Sequence, residues 1–265
     1  MVIDMHHHIS RNWREFMPKL RDKCAELGID MVALCTTCTE NLQLYEAMQV
    51  HGDFMLALGN IAVGEEGPRA VDELHSRGFH GLKLIRPIVD YDDDVCMPVY
   101  ERAAMYNMPI LFHLGIVAAD RTNDPLRDVS MARMRPVHLD RIARKFPTLQ
   151  LIGAHLGNPW YEEAAEVARM HPNVFFDLTG STMKKKSPAF LDDLFWWHKN
   201  EQYGRMGDNH PYDKIVFGTD VGLDMLEDVM NDYRAFMDHV DMSEEHRAAI
   251  WGGTAAKIFG LEDEA

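Results

Sequence analysis

A length of 265 residues suits one barrel of about 250 residues better than two small domains. The net charge of −15 argues against a nucleic-acid partner, because phosphate binding depends on clustered Lys and Arg that displace counterions. No apolar run approaches the ~20 residues of a membrane span. The opening Met1-Val2-Ile3-Asp4 has no basic stretch of the kind that starts a signal peptide. We therefore expect a cytoplasmic protein with no membrane partner and with its cysteines reduced.

The chain alternates short apolar runs with amphipathic stretches. The runs cover residues 2–5, 31–36, 54–61, 81–85, 109–114, 149–155, 173–179 and 214–220. Most are continuously apolar, as strands buried on both faces should be. Helical spacing appears over 18–27, where Leu20, Cys24 and Leu27 share a face and Gly28 ends the pattern. Residues 68–78, 99–106, 136–145 and 161–170 read the same way. This repetition predicts a single (β/α)8 TIM barrel spanning residues 1–265. The rival open, doubly wound sheet lacks its Gly-x-Gly-x-x-Gly turn after the first strand. Two connections, 115–135 and 180–213, are long; both follow strand C-terminal ends, where barrels build their sites and place lids.

Polar residues end several of these strands: His6, His7 and His8 the first, His113 the fifth, His155 the sixth and Asp220 the eighth, while Lys83 lies in the fourth. His6 and His8 are two apart and so share one face, and His7 takes the other. If the shared face is the barrel interior, His6, His8, His113, His155 and Asp220 converge at one mouth. Neutral imidazoles with one carboxylate suit Zn2+ best and also accept Mn2+, Fe2+, Co2+ or Ni2+. Such an ion acidifies a bound water and polarises a carbonyl. Burying so many ionisable groups without a metal would be costly. Cys35 and Cys38 form a Cys-x-x-Cys without a second pair, and read as two free thiols at a strand end.

These segments resemble the amidohydrolase superfamily, and within it the amidohydrolase-related group that contains aminocarboxymuconate-semialdehyde decarboxylase. The matching stretches are Ile3-Asp4-Met5-His6-His7-His8, Gly78-Phe79-His80-Gly81-Leu82-Lys83-Leu84, Pro109 to Gly115 around His113, Gly153-Ala154-His155-Leu156-Gly157, Asn173 to Leu178 around Asp177, and Phe217-Gly218-Thr219-Asp220. The resemblance implies that His6, His8, His113 and Asp220 bind metal, with Asp220 also accepting a proton. The residue at His155 assists catalysis in mononuclear members and binds a second metal in binuclear ones. Lys83-Leu84-Ile85-Arg86-Pro87 resembles the strand of dihydroorotases whose lysine is carbamylated and bridges two ions; otherwise Lys83 serves as a substrate counter-ion or reaches solvent. One or two divalent ions are thus implied, with a slight preference for one. The group holds both hydrolases and non-oxidative decarboxylases. We expect hydrolysis of a small amide, lactone or ester-like bond, with Asp220 and His155 catalytic, and keep decarboxylation of an unsaturated or aromatic acid as the alternative.

Two departures from the group stand out. Gly253-Thr254-Ala255-Ala256 replaces a common Asn-Ala-Ala, and Val221-Gly222 replaces an aromatic-Pro after Asp220, which alters the pocket wall. Arg86 is placed to bind a substrate carboxylate, or to pair with the acidic run at 90–94. Trp160 is a candidate pocket wall. Lys184-Lys185-Lys186 reads as a solvated run on a lid, and Trp196-Trp197-His198 as a closing face or a contact of an expected homo-oligomer.

Overall fold

The computed structural model describes residues 1–36, 41–117, 129–200 and 210–261. Strands and helices alternate as β1 (Ile3–His8), α1 (Trp13–Leu27), β2 (Met31–Cys35), α2 (Leu42–His51), β3 (Met55–Ile61), α3 (Pro68–Ser76), β4 (Gly81–Leu84) and α4 (Met97–Met105). They continue as β5 (Ile110–Phe112), α5 (His138–Lys145), β6 (Leu151–Gly153), α6 (Tyr161–Met170) and β7 (Val174–Asp177). Next come α7 (Thr182–Lys185), α8 (Pro188–Leu194), β8 (Ile215–Val216), α9 (Leu226–His239), α10 (Glu244–Ala248) and α11 (Thr254–Phe259). Neighbouring strands pair in parallel in the order β1 to β8. The seam between β8 and β1 is bridged by backbone bonds, Met5 N–H to the Phe217 carbonyl (2.9 Å) and Asp220 N–H to the His6 carbonyl (2.7 Å). A ring of eight strands with helices outside is the (β/α)8 barrel that the alternation predicts.

Strand parity sorts the core into two layers. Ala33, Leu56, Leu58, Leu111, Ile152 and Val216 fill the interior with Ile3 and Met5, and Ala255 and Ile258 of α11 join them. Val32, Leu34, Leu82, Ile110, Phe112 and Val174 face the helices instead. By the same parity Cys35, Lys83, His113 and Asp177 belong to the inward set. β1 contains an irregularity, since Asp4 pairs with Val32 but His7 pairs with Leu34. Three residues on β1 thus span two on β2, and this bulge switches the inward phase from Ile3 and Met5 to His6 and His8. Bulges beside active sites commonly re-aim side chains in this way.

Several helices differ from the sequence expectation. α1 begins at Trp13 and holds Pro18 inside it, because Trp13 and Met17 extend the buried face of Leu20 and Cys24 by one more turn. α2 was not marked by the spacing, although Leu44, Ala47 and Met48 bury one face. The long connection after β7 carries α7 and α8 rather than a bare loop, with Lys184 paired to Asp232 and Trp197 buried. Residues 118–128 and 201–209 of the two long connections, and Cys38, lie outside the described residues. Among the described residues no helix is long and apolar enough to cross a membrane.

Candidate metal centre

The strand ends bring the histidines together. Ring centroids of His6 and His8 lie 5.4 Å apart, those of His6 and His155 5.4 Å, and those of His113 and His155 4.8 Å. Asp220 stands between the two groups: Oδ1 is 3.2 Å from His8 Nε2 and 3.9 Å from His6 Nε2, and Oδ2 is 3.8 Å from His155 Nε2. Two ligand atoms on a tetrahedral ion with bonds of 2.0–2.1 Å should be about 3.3 Å apart, so these donors fit one. Three strand ends use sparsely populated backbone to reach these positions, with positive φ at Arg86 (54°), His155 (62°) and Asp220 (48°). Gly180, at φ 65°, lies so close that a Cβ there would sit 2.8 Å from His155 Nδ1.

Asp177, on β7, fixes the tautomers. It is fully buried, and its Oδ2 accepts from His6 Nδ1 at 2.9 Å. A carboxylate can only accept, so the His6 proton sits on Nδ1 and Nε2 keeps its lone pair for a metal. This is the carboxylate–histidine arrangement that orients ligands in metal sites. Oδ1 of Asp177 accepts from the backbone N–H of His155 (2.7 Å) and Thr179 (3.0 Å), and from the Thr179 hydroxyl (2.5 Å). The Thr179 oxygen therefore accepts from His155 Nδ1–H (2.8 Å), which leaves Nε2 of His155 open. His113 Nε2–H donates to the Ile116 carbonyl (3.1 Å), leaving Nδ1 open. That Nδ1 and His155 Nε2 are 3.3 Å apart. Two lone pairs facing each other at this distance call for a cation between them.

The electrostatics agree. Burial and the Lys83 ammonium press the His6 pKa down, but Asp220 and Asp177 outweigh them and raise it to about 10. The two carboxylates thus favour positive charge on or beside the ring, which a metal on Nε2 would supply in place of a second proton. Burial drives His155 down to about 4 and His113 well below its usual value, so both are neutral. Burial opposes ionisation of Asp177 and Asp220, yet His6 and its neighbours hold both carboxyls far below the usual range.

Lys83 is fully buried, and its Nζ donates to His6 Nε2 at 3.0 Å, so it does not reach solvent. Arg86 lies two residues beyond β4, half-buried at the same end of the barrel. The acidic run at 90–94 is engaged by His138 and Arg141. The Arg135 guanidinium lies 5.3 Å over the Trp160 ring and pairs with Glu163. His7 turns away, bonding Thr219 at 2.9 Å and stacking on Phe16.

Three residues here went unmarked as site residues in the sequence. Asp177 and Thr179 stand within the seventh apolar run, and inward parity plus an acidic side chain was the available signal. Cys35 stands opposite His8 across the β1–β2 ladder, with Sγ 3.6 Å from His8 Nδ1. Burial pushes its thiol up, but His8 and Lys83 outweigh this and bring it to about 5.

Barrel and site together form a candidate metal centre at the C-terminal mouth of a (β/α)8 enzyme. The amidohydrolase family model matches residues 3–261, and the chain belongs to that family. Solved structures share the fold at low identity. An uncharacterised TIM-barrel protein from Bordetella bronchiseptica is 17% identical, with 98% of each chain covered and a TM-score of 0.73. A dihydroxybenzoic acid decarboxylase from Polaromonas, with bound manganese and the inhibitor 2-nitroresorcinol, is 16% identical over 98% of this chain and 97% of that one, at a TM-score of 0.65. A probable 2-pyrone-4,6-dicarboxylic acid hydrolase from Acinetobacter baumannii, with citric acid bound, is 12% identical over 98% and 99%, at a TM-score of 0.62. No curated protein sequence matches the chain.

Proposed function

We propose that the protein is a metal-dependent hydrolase of a small, carboxylate-bearing amide, lactone or ester. The observation that carries this reading is the division of Asp220. Oδ1 faces His8 and His6, while Oδ2 faces His155, so one oxygen serves as ligand and the other is left to handle a proton. A divalent ion, Zn2+ by choice of donors, supplies an acidified water and a polarised carbonyl when bound. Asp220 Oδ2 takes the proton from the attacking water and returns it to the leaving group. Arg86, at the same mouth, holds the substrate carboxylate.

Of the two parts that the resemblance allows His155, the hydrogen bonding favours the ligand over the catalytic acid. Its Nδ1 proton is committed to Thr179 and burial keeps the ring neutral, so Nε2 offers a lone pair and no hydrogen. With His113 Nδ1 opposite it, His155 fits a ligand of a second ion. Lys83, buried beside His6, would offer an oxygen ligand to the second ion if its amine added carbon dioxide and lost a proton to become a carbamate. This favours two ions over one.

Decarboxylation remains the second reading, because the Polaromonas neighbour is a decarboxylase with manganese. The two separate by product: carbon dioxide release without net hydrolysis, or the reverse. Asp220→Asn tests the mechanism. General acid–base work contributes about 10²–10⁴-fold, so the variant should lose at least a hundredfold in kcat while still folding. Full activity in Asp220→Asn would sink the proton role.

A further inference from the structure

We infer that Cys35 is a thiolate ligand of the ion held by His6 and His8, which makes this a nitrogen–sulfur centre tuned to Zn2+ over Mn2+. The inference rests on the metal-centre reading above and adds a donor to it. The β1–β2 register sets Cys35 directly opposite His8, and the parity shared with Ala33 points it into the barrel. Donor atoms of His6, His8 and Cys35 all lie within 4.8 Å of one another. Sγ is 3.6 Å from His8 Nδ1 and 4.0 Å from Nε2. Around a tetrahedral zinc with Zn–N near 2.0–2.1 Å and Zn–S near 2.3 Å, nitrogen and sulfur should be about 3.6 Å apart, so Sγ and His8 Nε2, the nitrogen that faces Asp220, need to close by only a few tenths of an ångström. In the metal-free chain the thiol of the fully buried Cys35 donates to the His7 carbonyl at 3.5 Å, which holds the sulfur in place, and metal binding would release that proton.

The bulge in β1 matters here. It turns His6 and His8 inward at the level of the strand end and sets His8 opposite Cys35, the last residue of β2. With His6, His8, Cys35 and Asp220 as donors, a fifth position stays available, because zinc sites expand to five ligands. Thiolate is a soft ligand that favours zinc, whereas manganese prefers carboxylate, carbonyl and water. A site with Cys35 bound should therefore discriminate between the two ions more strongly than histidines and a carboxylate alone.

The test uses the full chain loaded with Co2+, read by electronic absorption, with metal content measured on the same samples. Bound Co2+ with a thiolate ligand gives an intense sulfur-to-cobalt charge-transfer band in the near ultraviolet. We expect the band in the wild type and in Cys38→Ser, and its loss in Cys35→Ser and Cys35→Ala with cobalt still bound. The ratio of Zn2+ to Mn2+ affinity, from competition titration, should fall at least tenfold in Cys35→Ser. Cobalt bound by the wild type without the band, or a band that survives Cys35→Ala, overturns the ligand assignment and leaves the metal centre standing. A wild type that binds no metal overturns both. Far-ultraviolet circular dichroism checks each variant for folding, and the serine and alanine pair guards against a polarity effect of either one.

Discussion

Replacing Asp177 by Asn changes one atom and reverses the tautomer logic of the centre. The carboxylate accepts four hydrogen bonds, from His6 Nδ1, the backbone N–H groups of His155 and Thr179, and the Thr179 hydroxyl. An amide nitrogen on the Oδ1 side would confront three donors, so the variant should place it on the Oδ2 side, against His6. There His6 must move its proton to Nε2 to accept from the amide. Nε2 then has no lone pair for a metal, and its new proton faces the Lys83 ammonium 3.0 Å away. Loss of a ligand-orienting partner costs about 10–100-fold in metal affinity, or about 1.4–2.8 kcal/mol at 1.4 kcal/mol per decade. The charge-assisted hydrogen bond itself contributes about 1.5–3 kcal/mol, so the metal-free variant should also melt lower. Competition titration against a chelator measures the first effect, and thermal unfolding of the metal-free protein the second. A folded Asp177→Asn whose zinc affinity stays within twofold of wild type would refute the reasoning, because His6 Nε2 would then not be a ligand.

Gly180→Ala forces a Cβ into left-handed backbone at 2.8 Å from His155 Nδ1. Left-handed backbone alone costs about 1–2 kcal/mol, so the melting temperature should drop by several degrees, at about 2–4 °C per kcal/mol; an unchanged melt and activity would show that the loop relaxes freely. His210 gives a pH effect away from the site. Burial and His246 bring its pKa from 6.5 to about 4, so the unfolded chain takes up a proton that the folded one refuses. Stability from this group is complete above pH 6.5 and is lost as pH falls toward 4. His210→Asn, which keeps an acceptor for the Tyr212 N–H, should flatten that stretch of the stability curve, and an equally steep slope in the variant would exclude His210 as its source.

The fold was legible because strand burial on both faces leaves a plain mark: all eight apolar runs coincide with strands, from Ile3–His8 to Ile215–Val216. The histidines were legible for a related reason. Each ends such a run, and packing alone does not place imidazoles there. What stayed hidden depended on phase. The bulge in β1 cannot be read from spacing, and without it nothing says that His8 lies opposite an inward Cys35. Asp177 looked like the end of a hydrophobic run, because its partners come from β1, β6 and the turn after β7. The role of His155 turned on which nitrogen carries the proton, and that is decided by Thr179, 24 residues away. A start of α1 at Pro18 failed because tertiary burial of Trp13 and Met17 outweighs the local preference of proline for a first turn.

Metal content of the purified protein, compared with a His6→Ala, His8→Ala double variant, tests the metal centre most directly. Two ions per chain are expected in the wild type after loading with Zn2+, with loss of the ion beside Asp220 in a double variant that still shows the barrel's circular dichroism. A double variant that retains the full wild-type complement of tightly bound metal would contradict the metal-centre reading.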